Sequence, residues 1–503
     1  MNDEVLTVSS LAPALAFLVP VVAGVLVLLL RRGPARAWPV VAGVGAAAVL
    51  LAGVRMVTAT IGGAVLVTWG GELRVDALSA LLVALIGGIG VLALLYAVRS
   101  MTGGSGGHEG RERRLCLFYA LLSWFLATMA WGCVTNNIIM LYVAVEATTL
   151  TSGLLVAFYW DRRGLEAGYK YLMLLTIGIT FALFGCVLIY AMAAATGELA
   201  GGDALLISEV RGVAHLFPAG TALVTVAFLV VGFGTKAGIA PFHPWLPDAH
   251  AEAPPPVSVL LSGVMIKMAA YALARTVTIF YPGWPTLTVF AVALGSFTML
   301  LGIVAAMGQD DLKRLLAYSS VSQIGYVVVG LGLGTYLGCY GGLFHLVNHA
   351  VVKALLFMCA GAVVYATGAR RISELGGLGR RMPVTAFCFV LGALTIAGFP
   401  PLSGFASKLT IYLALARSGM WWAAALAVAA SILTMVVLVR AATAVFWGSP
   451  RGAAEGAAVR EVPGLMWAPM AVLAAACVLL GVWPQAIYPL LDGAARVLAT
   501  VGR

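Results

Sequence analysis

The chain has 503 residues, of which 62% are hydrophobic and only 10% are charged. So many apolar residues cannot all be hidden in a water-soluble core, which excludes a soluble globular fold and predicts a protein that crosses a membrane several times. The formal net charge of +10 lies mostly on arginines in short connectors, a pattern that sets orientation in a bilayer, and we therefore exclude nucleic acid as a partner.

In chain order, the apolar runs predict an all-α polytopic membrane protein with about fourteen transmembrane helices. The first run follows an acidic start, MNDE, and is as long as a full span, so we expect it to be retained rather than cleaved as a signal peptide. The predicted spans lie at about 9–30, 38–56, 76–98, 115–133, 136–159, 166–194, 222–246, 254–280, 286–307, 313–334, 338–366, 384–413, 420–446 and 464–489.

The connectors between the spans predict the orientation. Those after spans 1, 3, 5, 9, 11 and 13 carry seventeen Lys or Arg residues, whereas the opposite side carries seven. Because basic connectors stay inside, both termini are expected on the outer, periplasmic face of a bacterial inner membrane. On that outer side, residues 58–76 alternate weakly and predict a short hairpin, and residues 195–220 form the longest loop.

The six lysines are placed differently from the twenty-four arginines, because five of them fall within or near the ends of spans and only Lys313 is expected in a connector. A cation at the bilayer centre costs roughly 2.5–3.5 kcal/mol on insertion scales, so these lysines are expected to be functional. Burial lets a lysine release a proton near neutral pH, whereas arginine stays charged. The five are Lys170, Lys236, Lys267, Lys353 and Lys408.

Glu146 lies near the middle of span 5, in NNIIMLYVAVEATTLTSGLLVAF. An unpaired buried carboxylate is costly, so we expect a buried cation as its partner and select Lys236. Two roles are open for Glu146. It acts in proton transfer, or it forms a static ion pair that holds two helices together.

The stretch FHLVNHAVVK places His345, His349 and Lys353 on one face of span 11, at intervals of four residues. Three titratable groups stacked along one helix are typical of a proton relay. The alternatives are a bond from His345 to a neighbouring helix and a metal site. Two histidines without a nearby carboxylate or thiol are too few for zinc, so we expect no metal.

Three further residues are secondary members of the predicted site. Lys170 lies four residues after Glu166, so an ion pair within the helix and a functional role are both open. His243 either relays protons or bonds the backbone of an interrupted helix. His250 is expected at the inner mouth of span 7, as a point of proton entry or a polar connector.

Two spans are predicted to be broken, because GTKAGIAPFHPWLP in span 7 and IAGFPPLSGFASKL in span 12 each combine Gly, Pro and a lysine. Interior prolines free backbone carbonyls, which marks a polar interior in a membrane. The breaks are five spans apart, so spans 4–8 and 9–13 are expected to form two inverted repeats around the transport site. The predicted units cover residues 1–114, 115–280, 281–446 and 447–503.

The sequence carries no sign of a cofactor. No two of its seven cysteines are spaced as Cys-x-x-Cys, which argues against an iron–sulfur cluster, c-type haem or structural zinc. GFGTKAG lacks the spacing of a nucleotide-binding loop. We therefore expect no cofactor, and no redox or nucleotide chemistry in this chain.

Four stretches resemble the proton-antiporter-type membrane subunits of respiratory complex I, multisubunit sodium/proton antiporters and membrane-bound hydrogenases. They match in order over about residues 115–446, and several long motifs together are more specific than a short pattern. EAGYKY and GTKAGIAPFHPWLPDAHAEAPPPVS are most similar to hydrogenase-4 component F. The four stretches are GTKAGIAPFHPWLPDAHAEAPPPVSVLLSGVMIKMAAYALAR, DLKRLLAYSSVSQIGYVVVGLG, FHLVNHAVVKALLFMCAGAV and GFPPLSGFASKL.

The resemblance implies fourteen helices, inverted five-helix repeats and a charged line along the membrane midplane. It also implies a proton-translocating subunit of a redox-driven complex, with other membrane subunits, lipid and protons as partners. The alternatives are a subunit of a sodium/proton antiporter or of an inorganic-carbon uptake system, and a structural scaffold. The implied relay residues, from the first half-channel through the centre to the second, are Glu146, Lys236, Lys267, His349, Lys353 and Lys408.

Overall fold

A computed structural model describes residues 6–103, 111–281, 284, 286–449 and 459–499, with the backbone alone of 111–113. The predicted side of the two termini concerns residues outside this part of the chain. The helices are α1 (Ala12–Leu29), α2 (Ala37–Thr60), α3 (Ala77–Ser100), α4 (Arg111–Val134), α5 (Ile138–Val156), α6 (Arg162–Ala195), α7 (Ile207–Val213), α8 (Ala219–Ala237), α9 (Trp245–Glu252), α10 (Pro255–Leu260), α11 (Ile266–Val277), α12 (Thr286–Met307), α13 (Leu312–Gly332), α14 (Tyr336–Thr367), α15 (Pro383–Ala397), α16 (Ser403–Arg417), α17 (Trp421–Ala442), α18 (Gly464–Val482) and α19 (Tyr488–Leu498).

The all-α membrane fold is confirmed. Among the described residues, thirteen helices are long and apolar enough to cross a bilayer. The predicted span 12 consists of two shorter helices, α15 and α16. Span 7 is likewise divided into α8 and α9. Both predicted breaks are therefore present, whereas the inverted relation of the two repeats stays a prediction.

A small sheet lies at the predicted outer ends of the first spans. The hairpin expected in residues 58–76 is formed by β2 (Val65–Thr68) and β3 (Leu73–Val75), which pair antiparallel. β1 (Thr7–Ser9) adds to β2 in parallel. The sequence did not indicate β1, because three residues are too short for an alternating pattern to be recognised.

The core of the bundle is formed by three segments. More than three quarters of the residues in the most apolar windows of 255–277, α13 and α14 are buried within the protein. These helices carry little charge but many small polar residues, so they can pack closely and still offer hydroxyl and carbonyl groups to one another. In the outer helices, such as α1, α2 and α6, fewer than half of the residues in these windows are buried.

The two broken helices share one backbone geometry. The first half of each ends at a glycine with positive φ, 76° at Gly238 and 89° at Gly398. Such a conformation ends a helix and disfavours residues with a Cβ atom. In both, the amide after this glycine donates to the carbonyl five residues earlier, from Ile239 to Gly234 at 2.9 Å and from Phe399 to Leu394 at 3.0 Å. The cis peptide bonds of the two connections are Ala240–Pro241 and Pro400–Pro401.

Candidate functional site

Lys236 lies in the last turn of α8, directly before the first break, and only 1% of it is exposed. Its ammonium donates a hydrogen bond to Oγ1 of Thr149 on α5 at 2.8 Å. It also lies 5.7 Å from the ring centroid of Tyr171 on α6. The Tyr171 and Ser152 hydroxyls are 2.6 Å apart. Two other helices, α5 and α6, therefore converge on this lysine, α5 with hydroxyl groups and α6 with an aromatic ring.

Glu146 is a neighbour of Lys236, but the direct ion pair expected from the sequence is not formed. Lys236 instead reaches Thr149, which lies three residues after Glu146 on α5 and therefore on the same side of that helix. One oxygen of Glu146 accepts from Thr176 Oγ1 at 3.2 Å. Its Oε2 is buried without a hydrogen-bond partner in the described part of the chain. The carboxylate is thus close to the lysine without neutralising it by contact.

Lys267 lies at the centre of the bundle and is fully buried. A π-helical turn at Leu261–Met265 precedes α11, and the Lys267 ammonium donates to the carbonyl of Ser262. Turns of this kind leave a carbonyl available for other partners and occur often at functional sites. The Ser262 hydroxyl lies 2.8 Å from that of Ser320 on α13. Lys267 is therefore linked through Ser262 to α13.

The face of α14 predicted from FHLVNHAVVK is formed as expected. His345, His349 and Lys353 are fully buried. The two imidazole rings stack with centroids 6.3 Å apart and an interplanar angle of 9°. Lys353 donates to Oγ of Ser319 and, at 3.0 Å, to the carbonyl of Leu316 on α13. Neither ring nitrogen of His349 has a partner among the described residues.

Lys408 lies in α16, beyond the second break, and is 1% exposed. Its ammonium donates to Oγ of Ser431 on α17 at 3.0 Å, and it lies 4.5 Å from the ring centroid of Tyr326 on α13. The adjacent residue, Ser407, connects it to the histidine stack, because its Oγ is 3.1 Å from Nδ1 of His345. A polar path therefore joins α14 to the second broken helix.

The two histidines of the first break have different surroundings. His250 was expected at the inner mouth, and this prediction is wrong, because its ring is fully buried against α14. The ring stacks on Phe357 with centroids 4.5 Å apart. Neither of its nitrogens has a described partner. His243 is half-buried, with its ring centroid 6.2 Å from that of Tyr318.

Lys170 lies at the surface of the predicted inner mouth. Its expected ion pair with Glu166 is formed at 2.7 Å, and about half of its side chain (51%) is exposed. A second carboxylate, Asp248 of α9, lies 3.9 Å away and also pairs with Arg314 at 3.0 Å. The geometry therefore favours a structural role for Lys170, in a charged rim around the mouth.

Lys313 was expected in a connector, and this prediction is wrong. It lies in the first turn of α13, whose amino end is capped by Asp311, and only 6% of it is exposed. Its ammonium donates to the carbonyls of Ala251 and Ala253 at 3.1 and 2.7 Å. These carbonyls end α9 and have no helical partner. Lys313 therefore joins the start of α13 to the end of α9, the second half of the first broken helix.

The sequence did not indicate the groups that hold the lysines. Hydroxyl groups accept hydrogen bonds from three of the buried lysines, and one tyrosine ring lies beside each of Lys236 and Lys408. Threonine, serine and tyrosine occur throughout membrane helices, so single residues of these types give no signal. A weak signal is the repeat of small hydroxyl residues on α5 and α13, ATTLTS and YSSVS, beside the predicted relay. The hydroxyl acceptors are Thr149, Ser319 and Ser431.

The arrangement is suited to moving protons. Ammonium, imidazole and hydroxyl groups can each give up one proton and take another, and they alternate here from α5 to α17. Within the described residues, no three His, Cys, Asp or Glu side chains are grouped closely enough to hold a metal ion.

Residues 135–434 match the family described as NADH:quinone oxidoreductase/Mrp antiporter, transmembrane. The chain is 36% identical over 433 residues to the N subunit of NADH-quinone oxidoreductase from Desulforudis audaxviator, covering 83% of each protein. It is 31% identical over 379 residues to an Na(+)/H(+) antiporter subunit from Alkalihalophilus pseudofirmus, covering 75% of each. It is 35% identical over 326 residues to a hydrogenase-4 component F homolog of Methylacidiphilum infernorum, covering 63% of this chain and 67% of the other.

Two solved structures are similar over nearly the whole chain. One is a chain of the Mrp complex from a Dietzia species, with a TM-score of 0.86 and 27% identity over 98% of both chains. The other belongs to the membrane-bound sulfane sulfur reductase, an archaeal respiratory membrane complex, with the same TM-score, identity and coverage.

Proposed function

Because the chain belongs to the NADH:quinone oxidoreductase/Mrp antiporter transmembrane family, we propose that this multi-pass membrane protein is the proton-translocating subunit of a redox-driven complex. Protons move through two half-channels, one at each broken helix, and through the groups between them. The proposed relay residues are Glu146, Lys236, Lys267, His349, Lys353 and Lys408.

One observation carries this proposal. Four lysines inside the bundle are each at most 1% exposed, and none of them forms an ion pair among the described residues. A buried ammonium without a carboxylate contact is costly, and such groups in membrane helices mark ion or proton pathways. A structural lysine is satisfied by a carboxylate, as in the surface pair of Lys170 and Glu166, or by the free carbonyls of a helix end, as in Lys313.

The contacts support an order of transfer. Lys236 begins the path at α5 and α8, and Lys267 continues it at the centre. His349 lies within electrostatic range of Lys267, Lys353 and Lys408. The stacked His345 and its partner Ser407 then lead to Lys408. The contacts cover the part of the path from Lys267 to Lys408, and the step from Lys236 to Lys267 is proposed without a shared contact.

Glu146 is proposed as the coupling group. A carboxylate near Lys236 favours the charged form of that lysine, so moving the carboxylate away favours proton release. Glu146 contacts Thr176 rather than Lys236 in this structure, which leaves the carboxylate room to change partners. A neighbouring subunit that shifts α5 would thereby change the proton affinity of the first half-channel.

Exchange of sodium for protons is the second proposed function, since relatives at similar identity include a component of an Na(+)/H(+) antiporter. The two functions share the same lysines and differ in the cation that enters the path. In both, the proposed partners are other membrane subunits, because the similar solved structures come from multisubunit complexes. The proposed location is a bacterial inner membrane, with both termini on the periplasmic face.

Lys236→Ala tests the relay in the assembled complex reconstituted into vesicles. We expect proton uptake, measured by quenching of a pH-sensitive dye, to fall at least about tenfold, as for the loss of a group that carries the transferred proton. Lys170→Ala is the matched control, since it removes a lysine at the rim. Unchanged uptake by Lys236→Ala would contradict the relay, and uptake that requires sodium would establish exchange.

A further inference from the structure

A polar cavity of about 270 Å³ lies on the predicted outer side, at the end of the bundle opposite to the rim formed by Lys170 and Asp248. Its position follows from the helix ends that surround it. Asp76 precedes α3, Thr135 follows α4, and Arg275 lies in the last turn of α11. Because these are ends of predicted spans, we expect the cavity at the depth where a bilayer changes from hydrocarbon to headgroups.

The walls of the cavity are strongly basic. Four arginines line it against one carboxylate, Asp76. Neighbouring guanidinium groups repel one another, and partial burial weakens the screening by water, so an arrangement of this kind is stabilised by an anion. The four come from segments far apart in the chain, and they are Arg74, Arg211, Arg275 and Arg496.

Two of the arginines are held in position by other parts of the wall. Arg275 donates to Oδ1 of Asp76 at 2.5 Å and to Oγ of Ser79 at 3.0 Å. Its Nε is buried and has no partner among the described residues. Arg211 donates to the carbonyl of Val497 at 2.9 Å. These bonds fix two guanidinium planes at the wall before any ligand is bound, which reduces the entropy lost on binding.

Asp76 does not neutralise the cavity. Burial acts to raise the pKa of its carboxyl, but the charge and hydrogen bond of Arg275 outweigh burial and hold the pKa below its ordinary value. Asp76 is therefore a carboxylate at neutral pH and is engaged with Arg275 and with the amides that begin α3. Its charge offsets one arginine, and Asp492 forms an ion pair with Arg496 at 3.1 Å, so the four arginines still outnumber the carboxylates that pair with them.

Arg74 is the second, independent indication of a ligand. It lies on β3 and is half-buried, and within the described part of the chain its side chain has neither a hydrogen bond nor an ion pair. A guanidinium offers five N–H groups in a planar fork that matches two oxygens of a phosphate. An unpaired arginine on the wall of a cavity that already holds three others is suited to binding such a group.

We propose that this cavity binds a phosphate group, which Arg74 and Arg275 contact directly and which the other two arginines attract. The phosphate is either the headgroup of an anionic phospholipid at the outer face of the membrane that holds this protein, or free inorganic phosphate. Both sources offer the same anionic oxygens, and a lipid would also place its chains against the exposed apolar surface of the neighbouring spans.

Calorimetric titration of the delipidated, assembled complex distinguishes the sources. One arm adds inorganic phosphate, and the other adds a short-chain phosphatidylglycerol, with phosphatidylcholine for comparison. We expect Arg74→Gln to weaken binding on the order of tenfold, the size expected for one charge-assisted hydrogen-bonded pair. Arg74→Lys keeps the charge but lacks the planar set of N–H groups, and its affinity for the ligand should lie between those of the unaltered protein and Arg74→Gln.

The matched control is Arg417→Gln, an exposed arginine at the predicted outer end of α16. If inorganic phosphate binds, and if Arg74→Gln weakens this binding while Arg417→Gln does not, the site is assigned to the free anion. If only phosphatidylglycerol binds and the two variants differ in the same way, the site is assigned to a lipid headgroup. Equal affinity in both variants, or no binding in either arm, would overturn the proposal. Among the described residues the Arg74 side chain forms no hydrogen bond and no ion pair, so Arg74→Gln breaks none in the wall, and the melting temperature of the variant checks that the fold is kept.

Discussion

The two broken helices have nearly the same backbone but use their lysines differently. Residues 235–248, TKAGIAPFHPWLPD, align without a gap with residues 395–408, TIAGFPPLSGFASK. In this alignment Lys236 precedes the break by two residues, whereas Lys408 follows it by ten. The shared element is therefore the break itself, whereas the proposed proton-binding lysine has a different position relative to it in each half.

The surroundings of the two lysines differ in charge. Lys236 contacts α5, the helix that carries Glu146. Lys408 contacts α17, a helix without any acidic residue. Both lysines have a hydroxyl acceptor and a tyrosine ring nearby, so the polar contacts are alike. In the proposed relay, the first half-channel is thus the one whose lysine has a carboxylate of the same chain nearby.

The largest effect is expected at Gly404, which stands close to the second break. An added Cβ would lie 1.7 Å from the carbonyl oxygen of Thr395, so Gly404→Ala must displace α16 from α15. A clash with backbone of this kind destabilises by about 1–3 kcal/mol or more. We expect a lower melting temperature and loss of proton uptake. Gly43→Ala is the control, because no atom lies within 4 Å of the added Cβ. Equal melting temperatures for the two variants would contradict the expected clash at Gly404.

Lys408→Arg is expected to have the next largest effect. The charge is kept, but arginine does not release its proton, so uptake should fall about tenfold while the complex assembles normally. Dye quenching in vesicles measures the rate, and gel filtration checks assembly. Arg417→Lys makes the reverse exchange at an exposed position and should change nothing. Full uptake by Lys408→Arg would mean that the second lysine acts only as a fixed charge.

Glu146→Gln tests the difference between the halves. The amide keeps the hydrogen bond to Thr176 but removes the charge near Lys236, which should slow uptake about three- to tenfold, as expected for the loss of one coupling interaction of about 1 kcal/mol. The optimum of uptake should also move to lower pH, because the charged form of Lys236 loses support. A pH profile of uptake measures both. An unchanged profile would mean that Glu146 has no control over the first half-channel.

The smallest effect is expected for Lys170→Gln. Its ion pair with Glu166 is exposed, and such pairs contribute about 0.3–0.5 kcal/mol on helices. We expect uptake and melting temperature close to those of the unaltered complex. A tenfold loss of uptake would instead move Lys170 from the rim into the relay and extend the first half-channel to the surface.

Much of this architecture could be predicted from the sequence. Long apolar runs identify the spans because a bilayer requires about twenty such residues, and Gly and Pro near a lysine located both breaks. The stack of His345, His349 and Lys353 followed from helical spacing alone. These features depend on local sequence, which explains why the structure agrees with them.

Contacts between distant segments could not be predicted in this way. Lys313 looked like a connector residue because it follows QDD and precedes Arg314, and only the packing of α13 against α9 reveals its burial. His250 follows an acidic residue closely, yet α9 turns its ring towards Phe357. Lys236 prefers a threonine hydroxyl to the expected carboxylate. In each case the partner comes from a helix whose orientation the sequence pattern does not specify.

The bond from Lys313 to the end of α9 also has a consequence for biosynthesis. Lys313 follows its acceptor residue Ala251 by 62 positions, so α9 enters the translocon long before the group that satisfies its final carbonyls is translated. The carbonyls that end α9 therefore lack this partner in a nascent chain that stops at residue 280. We expect a fragment that ends there to be less stable in the membrane alone than together with the remainder of the chain.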